Sequence, residues 1–422
     1  METSYIAVIV LTGVILTLVV SRKNSALGFA LTVPLLPSYI NSPVGTVNIW
    51  GSDLLALAVL MVVLIVSVPR SPSRVMWIDL LLPFACIWRG FGMFMNDVDL
   101  SACAQQSIRW IMPWVLPYLI GRFGVTSWEG FKRVIHAMLL LGVIITFFAG
   151  IEAFTGRNII TTLTGFGWNP GRIKFGLFRA RSTFTSPHIL GMFLATLAIL
   201  ALSLYLANQT KKPLYLFMFI ALALGTFFST ASTGVMLGLS GLCFMVLFAF
   251  RSIWKIWVYG GLAAGILIHF ISSDGIHYVI TRRLTGMGEA YYRAVLIDTV
   301  LAQMPGHWMF GHGEEEIHLW FTSYEDICNQ WIYFLAKGGL PSFFALAVFF
   351  VLMLLRLRTC YHMLDGYRGE QIFLWGVLST LVATSISWFF IALFGSDVSI
   401  FTFYFGMIVS LPDLARVALR KQ

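Results

Sequence analysis

Long apolar runs separated by short polar connections dominate the chain. A helix needs about 20 consecutive apolar residues to cross the hydrocarbon core of a bilayer, and about thirteen candidate runs follow one another along the sequence. They lie at residues 5–20, 25–40, 50–68, 76–94, 109–121, 134–154, 188–207, 213–229, 234–250, 256–271, 328–355, 371–391 and 396–411. The pattern predicts an all-α fold, a polytopic transmembrane helical bundle of about 12–13 spans that forms a single integral membrane domain over residues 1–422.

Two of these runs contain pairs of prolines. The run 25–40 holds two prolines, and the run 109–121 holds Pro113 and Pro117. Because proline lacks the amide hydrogen and clashes with the preceding turn, both segments are predicted to be kinked, short or re-entrant.

Composition agrees with this pattern. Hydrophobic residues make up 58% of the chain and charged residues 11%, and the mean hydropathy is +0.84, which excludes a soluble globular protein. The net charge of +9 is interpreted as the basic excess of cytoplasmic loops. Membrane lipids are therefore expected partners, and nucleic acid is not.

Alternate connections between the runs are basic, which predicts the orientation of the chain. Arg22 and Lys23 follow the first run and no basic residue precedes it, which favours an N-terminus outside the cytoplasm over a cleaved signal peptide. The same alternation places the C-terminus in the cytoplasm. Two connections on the predicted outer face, 155–187 and 272–327, carry arginines against this bias, so we expect them to form an active-site face.

Arginines in these two connections are candidate anion ligands. Arg179 and Arg181 precede a helix predicted to begin at Pro187, with His188 in its first turn, and Arg293 lies in a predicted surface helix over 288–303. A guanidinium matches phosphate bidentately, and the unpaired amides of a helix start add partial positive charge.

Two simpler interpretations of the same arginines remain open. They are contacts with lipid headgroups or outer-face acids, and, for Arg293, an ordinary i,i+4 pair with Glu289.

Carboxylates stand before a later span and are candidate proton acceptors. Glu325 and Asp326 precede the span that begins near Asn329, and simple N-capping by Asp326 or Asn329 is the alternative. The histidines and glutamates between His307 and His318 fit no metal-binding signature, so no metal is expected.

The five cysteines lack the spacing of a zinc site or a disulfide framework. A Cys103–Cys328 bridge is the one pairing considered.

Four segments occur in a recognisable order. They are RARSTFTSPHILGMFLA at 179–195, STASTGVMLGLS at 229–240, EAYYRAVLIDTVLAQMPGHWMFGHG at 289–313 and EDICNQWIYFLAKGGLPSFF at 325–344. In this order they resemble the O-antigen polymerase and O-antigen ligase superfamily, and they look closest to exopolysaccharide repeat-unit polymerases. The shared features are an arginine before Phe-x-x-Pro-x-x-x-Gly, a Tyr-Arg ahead of Gly-x-Gly, and Asn-x-Trp entering a span that ends in Gly-Leu-Pro.

The resemblance implies a metal-independent glycosyltransferase, without a cofactor, at the periplasmic face of a bacterial inner membrane. Its substrate would be an undecaprenyl-pyrophosphate-linked oligosaccharide, with a chain-length regulator as a further candidate partner. The N-terminus would then be periplasmic. With this function the candidate catalytic residues are Arg179, Arg293 and Asp326, and the candidate substrate-binding residues are Arg181, His188, Tyr292, His312, Glu325 and Asn329.

The chain departs from the resemblance at one position. Ligases similar to it place a histidine beside the asparagine matched to Asn329, whereas Cys328 stands here. The general base therefore stays open among Asp326, Glu325, His312 and His318, with Asp326 favoured. An O-antigen ligase acting on lipid A core and a lipid-linked oligosaccharide flippase are the alternative functions; a flippase typically carries charge near mid-bilayer, whereas most unexplained charge here is predicted at one face.

Overall fold

The protein is an all-α helical bundle. The computed structural model describes residues 2–39, 41–44, 47–165, 172–208, 210–272, 287–313, 327–393 and 395–420. Over these ranges the helices, numbered along the chain, are α1 (Glu2–Asn24), α2 (Ala26–Thr32), α3 (Gly51–Val62), α4 (Ile78–Met95), α5 (Leu100–Trp114), α6 (Leu116–Gly124), α7 (Trp128–Thr155), α8 (Ile159–Thr164), α9 (Pro187–Ala207), α10 (Lys212–Phe228), α11 (Ser232–Val246), α12 (Trp254–Ile271), α13 (Met287–Gln303), α14 (Gln330–Met363), α15 (Arg368–Ser387) and α16 (Val398–Leu419). The predicted fold class is confirmed.

Two short antiparallel hairpins complete the secondary structure of the described ranges. Strand β1 (Asn41–Val44) pairs with β2 (Val47–Trp50), and β3 (Ile173–Lys174) pairs with β4 (Leu177–Phe178). Each hairpin belongs to a connection between helices, so neither forms a sheet layer.

Eight helices of the described residues are long and apolar enough to cross a membrane. They are Gly51–Arg70, Ile78–Met95, Trp128–Thr155, Pro187–Ala207, Ser232–Ile253, Gln330–Met363, Arg368–Ser387 and Gly395–Leu419. Four shorter apolar helices are Ala7–Val19, Ala26–Leu35, Lys212–Phe228 and Tyr259–Ile271. The chain is thus a multi-pass membrane protein by the length and apolarity of its helices.

Proline shapes the two runs that were predicted to be irregular. Helix α2 is only seven residues long and gives way to the 3-10 turn Val33–Leu35, which contains Pro34. The second run is divided between α5 and α6, which meet at Val115, between Pro113 and Pro117. Both segments are therefore short or broken, as predicted.

Burial identifies the centre of the bundle. In the most apolar stretch of the spans containing α16 and α9, 94% and 83% of residues are buried, against 28–56% in the other six long spans. Large apolar side chains such as Phe147, Phe217 and Leu239 are exposed on the outer helices. An apolar exterior around a packed core is what lipid as a solvent requires.

A buried charge cluster ties together one end of the bundle. Arg122, fully buried on α6, donates to Asp79 at the start of α4 over 3.1 Å and to Asp413 of α16 over 3.4 Å. Arg356 of α14 donates to the same Asp413 over 2.7 Å. Asp413 lies about 22 Å along α16 from its first residue, since a helix rises about 1.5 Å per residue.

A break in α14 receives the loop that follows α13. At Gly339 the backbone has φ +67° and ψ −170°, outside the helical region. The amide of Leu340 donates to the carbonyl of Trp308 over 2.7 Å, and the amide of His312 donates to Ala336 over 2.8 Å. A Cβ on Gly311 would lie 2.6 Å from the backbone of Lys337, so only glycine permits this approach. The Gly-x-Gly and Gly-Leu-Pro segments therefore dock directly on each other.

The helix predicted over 288–303 is present as α13 and stops before Pro305. Ala294, Leu296 and Val300 on it are fully buried, so α13 packs against the bundle along one face.

The considered Cys103–Cys328 bridge is wrong, because all five cysteines lie within the described ranges and none of them forms a disulfide.

Candidate anion-binding site

The segment that carries Arg179 and Arg181 is fixed by a buried carboxylate. Glu152, 1% exposed near the end of α7, accepts hydrogen bonds at Oε2 from the amide of Ser182 over 2.8 Å and from Asn158 Nδ2 over 3.1 Å. Asn158 Nδ2 also donates to the carbonyl of Ser182 over 2.9 Å. Ser182 adopts φ +52°, which non-glycine residues seldom do. Glu152 thus holds the turn between the arginines and α9.

Two further elements hold the next residues of the same segment. Thr183 Oγ1 donates to the carbonyl of Pro34 over 2.7 Å, and its own carbonyl accepts from the amide of Ser38 over 2.8 Å. The amide of Thr185 donates to the carboxylate of Asp397 over 3.2 Å, and the Thr185 hydroxyl donates to the same oxygen. Contacts from three distant parts of the chain therefore fix this segment.

Helix α9 begins where the sequence predicted. Ser186 is its N-cap and accepts from the amide of Ile189 over 3.4 Å, and Pro187 occupies the first turn. The first turn of α9 therefore presents His188 at the end of the bundle that holds the arginine segment.

Helices α9 and α11 cross at a pair of glycines. A Cβ on Gly234 would lie 2.7 Å from the backbone of Gly191, and a Cβ on Gly191 would lie 2.6 Å from Ser229 Oγ. This contact brings Thr233 beside His188. The segments 179–195 and 229–240, which carry part of the resemblance, are therefore in contact here.

Both ring nitrogens of His188 are engaged. Arg179 Nη2 donates to Nε2 over 3.0 Å, and Nδ1 lies 2.6 Å from Thr233 Oγ1. A guanidinium has no acceptor, so Nε2 must accept and the ring is the neutral tautomer with hydrogen on Nδ1, which donates to Thr233. His188 therefore orients Arg179 and has no ring nitrogen left to take a proton from a substrate.

Arg293 reaches the same place from α13. Its side chain is 8% exposed, and the guanidinium carbon lies 5.9 Å from the ring centroid of Phe390. Within the described part of the chain, Nε and Nη1 of Arg293 have no hydrogen-bond partner. Arg179, Arg293 and Lys174 all act electrostatically on His188, so three cations gather around it.

A cavity of about 340 Å³ opens at this point. Its walls include Thr185, Ser186, His188, Arg293, Cys328 and Phe390. The N-cap and first turn of α9 contribute three wall residues, Ser186, His188 and Ile189, so the partial positive charge of the helix start is added to that of Arg293. The cavity can hold an anion the size of a phosphate or pyrophosphate.

Arg181 is not among the wall residues of this cavity. Its guanidinium carbon lies 4.7 Å from the ring centroid of Tyr39. Burial lowers the pKa of Arg181 from its ordinary value, and Tyr39 and Glu152 oppose that shift. Arg181 is thus one of the packing groups around the anchored segment, while the nearby Arg179 bonds to a cavity residue.

Three other predicted residues, Asn329, His312 and Tyr292, lie on or next to α13 and α14. Asn329 caps α14, where its Oδ1 accepts from the amides of Trp331 and Ile332, both over 3.1 Å; its Nδ2 has no partner among the described residues. His312 Nε2 lies 3.0 Å from the carbonyl of Gln303 at the end of α13, and its ring stacks on His307 with centroids 3.8 Å apart. Tyr292 lies on α13 directly before Arg293.

Several predictions lie outside what the structure describes. They concern Glu325, Asp326, His318, the glutamates 314–316, and the Glu289 side chain that would pair with Arg293. Across the described ranges, no group of three or more His, Cys, Asp or Glu side chains is gathered as a metal site.

Sequence reasoning missed four cavity or near-cavity residues: Ser38, Trp50, Lys174 and Thr233. Lys174 lies in the connection 155–187 that carries the candidate arginines, and Thr233 lies in the second of the four resembling segments. Ser38 and Trp50 lie more than a hundred residues before Thr185, and nothing in their local sequence indicates the contact.

The chain matches no protein-family model, and no curated protein matches it.

Proposed function

We propose that this protein polymerises undecaprenyl-pyrophosphate-linked oligosaccharide repeat units into a surface polysaccharide or exopolysaccharide. The observation that supports the proposal is the cavity beside His188. Arg293 in its wall is almost fully buried, with Nε and Nη1 unpaired among the described residues, and Arg179 and Lys174 add positive charge around His188. Buried guanidinium nitrogens without an acceptor are costly unless an anion completes the site. Pyrophosphate at the terminus of a lipid is such an anion.

The proposed reaction is a substitution at the anomeric carbon of the growing glycan. A hydroxyl oxygen of the new repeat unit forms a bond to that carbon, the bond from the carbon to the pyrophosphate oxygen breaks, and lipid pyrophosphate leaves with the electron pair. The hydroxyl proton passes to a base. Donors fixed around the leaving group stabilise its developing charge in a site shielded from water.

Roles follow from this geometry. Arg293 and Arg179 bind the leaving pyrophosphate, and His188 and Thr233 hold Arg179 in position. Both nitrogens of His188 are engaged, which removes it as the base. Asp326 remains our proposed base, because it stands two residues before Cys328, a wall residue of the cavity.

The proposal is tested by incubating the purified protein with lipid-pyrophosphate-linked repeat units in the presence of a chelator and measuring product length by mass spectrometry. We expect the wild type to form a ladder, Arg293→Ala to form none, and Arg293→Lys to fall well short because an ammonium lacks the bidentate fork. Arg172→Ala is the matched control, since Arg172 lies in the same connection as Arg179 and is exposed.

Two results would contradict the proposal. A full ladder from Arg293→Ala would remove the anion site from the mechanism. Wild-type protein that binds the lipid-linked units but leaves them unchanged would favour a ligase lacking its acceptor or a flippase.

A further inference from the structure

A second cavity adjoins the anion site. It has a volume of about 280 Å³, and its walls include Trp50, Gln106, Arg109, Trp110, Trp114 and Tyr333. Trp50 and Gly395 line both cavities, so the two share a wall. A group bonded to an anion in the first cavity therefore extends towards the second.

The buried Arg89 contacts two aromatic residues of the second cavity and fixes their rings. The guanidinium carbon of Arg89 lies 3.2 Å from the ring centroid of Trp110, and its Nη2 donates to the hydroxyl of Tyr333 over 3.3 Å. Trp110 and Tyr333 stack with centroids 5.5 Å apart and an interplanar angle of 21°. Cation–π contact with both rings stabilises a charge that is only 4% exposed within α4. The rings consequently form a fixed surface.

Trp50 separates the two cavities and is itself held in place. Its amide donates to Asp53 Oδ2 over 3.1 Å at the start of α3. Gly395, with φ +55°, lies under the indole, where a Cβ would come within 3.3 Å of Cζ2. The indole is half-buried, so it remains accessible to a ligand in either cavity.

Polar groups of α5 complete the cavity. Arg109 Nη1 donates to Gln106 Oε1 over 3.4 Å, and the Arg109 guanidinium carbon lies 5.9 Å from the Trp50 ring centroid. Gln106 and Arg109 are both half-buried, and they offer several hydrogen-bond donors and one amide acceptor at the edge of an aromatic surface.

We infer that the second cavity is a sugar subsite that holds the ring bonded directly to the lipid pyrophosphate. A pyranose has apolar C–H faces, which pack on aromatic rings, and hydroxyl edges, which pair with amide and guanidinium groups. An isoprenoid tail has no hydrogen-bonding groups that could pair with Gln106 and Arg109. The volume is near the lower end of ligand pockets, roughly 300–1,000 Å³, which fits one or two sugar rings.

This inference rests on the proposed function and makes it more specific. With pyrophosphate beside Arg293 and its sugar against Trp50, the anomeric carbon lies at the shared wall of the two cavities. The aromatic cavity then determines which sugar is placed for transfer, whereas the anion site binds every lipid pyrophosphate alike.

The test compares binding of undecaprenyl pyrophosphate with binding of the same lipid carrying one hexose, measured by native mass spectrometry in detergent. We expect the wild type to bind the sugar-bearing lipid more tightly. Trp50→Leu and Gln106→Leu should each reduce affinity for that lipid by about threefold to tenfold. Of the two cavities Gln106 lines only the second, so Gln106→Leu should leave affinity for undecaprenyl pyrophosphate unchanged. Trp50 lines both, so Trp50→Leu should lower affinity for the sugar-bearing lipid more than affinity for undecaprenyl pyrophosphate. Neither substitution changes the charge of the cavity.

Matched controls are Trp77→Leu, at an 84% exposed tryptophan, and Gln105→Leu, at the half-buried neighbour that does not line this cavity. Both should behave as the wild type.

Three results separate the two ideas. Equal wild-type affinity for the two lipids, or equal losses for both lipids in Trp50→Leu and Gln106→Leu, would overturn the sugar subsite while the anion site stands. Binding of neither lipid by wild-type protein would overturn the proposed function as well.

Discussion

Arg179 and His188 form a hydrogen bond of 3.0 Å in which the guanidinium donates to Nε2 of the imidazole. The opposite nitrogen is 2.6 Å from Thr233 Oγ1, so one ring connects the arginine segment to α11. Arginine side chains are long and mobile, and fixing one in advance reduces the entropy lost when an anion binds. We therefore assign His188, in the first turn of α9, the role of positioning Arg179.

This arrangement predicts that Thr233 affects activity without touching the substrate. Thr233→Val removes the acceptor of the His188 hydrogen bond, and we expect glycan elongation to slow by about threefold to tenfold, the effect of one hydrogen bond. Thr233→Ser should restore the rate because it keeps the hydroxyl. Initial rates of elongation provide the measurement, and equal rates for Thr233→Val and the wild type would refute the role of this contact.

The glycine crossing between α9 and α11 predicts that a larger residue at position 234 lowers the stability of the protein. Gly234→Ala places a Cβ 2.7 Å from the backbone of Gly191, and backbone cannot rotate away as a side chain does. We expect about 1–3 kcal/mol of destabilisation by overpacking, measured as thermal unfolding in detergent.

The control for that experiment is Gly261→Ala on α12, where an added Cβ meets no atom within 4 Å among the described residues. It should be neutral or slightly stabilising, because alanine favours helix by about 0.5–1 kcal/mol over glycine. Equal unfolding temperatures for the two variants would mean that α9 and α11 can move apart at this crossing without loss of stability.

The break in α14 predicts a specific requirement for glycine at position 339. An alanine there would have an unfavourable φ of +67° and a Cβ 2.6 Å from the carbonyl oxygens of Trp308 and Met309. We expect Gly339→Ala to lower the unfolding temperature more than Gly366→Ala, which has φ +87° but no described atom within 4 Å of its Cβ. The difference between the two variants measures the docking of the loop, and its absence would show that backbone strain alone is responsible.

The buried charge cluster predicts a stability effect that is separate from the site. Asp79→Asn removes a carboxylate from Arg122, which is fully buried, and we expect a loss of about 3 kcal/mol, since Asp413 remains as a partner. Chemical unfolding in detergent gives this value. The cluster lies near the end of α16 away from the cavity, so folded Asp79→Asn protein should bind undecaprenyl pyrophosphate as the wild type does; weakened binding would contradict this independence.

Local signals in the sequence determined much of the architecture. The apolar runs predicted the helices, Ser186 and Pro187 marked the start of α9, and the prolines at 113 and 117 predicted the break between α5 and α6. Each of these depends on residues within one or two helical turns, where periodicity and backbone chemistry act directly. The candidate arginines were found in the same way, as charges that orientation did not explain.

Only the tertiary structure decided what those residues do. Glu152 had no assigned role in the sequence, yet it anchors the turn at Ser182, 30 residues away. Trp50 lines two cavities whose other wall residues include Arg293 and Tyr333, far away in the sequence. Such contacts follow from how helices pack, and packing couples residues far apart in sequence, where no short-range pattern records the partner. The sequence determined which segments cross as helices and which charges need an explanation; packing determined which side chains share the cavity.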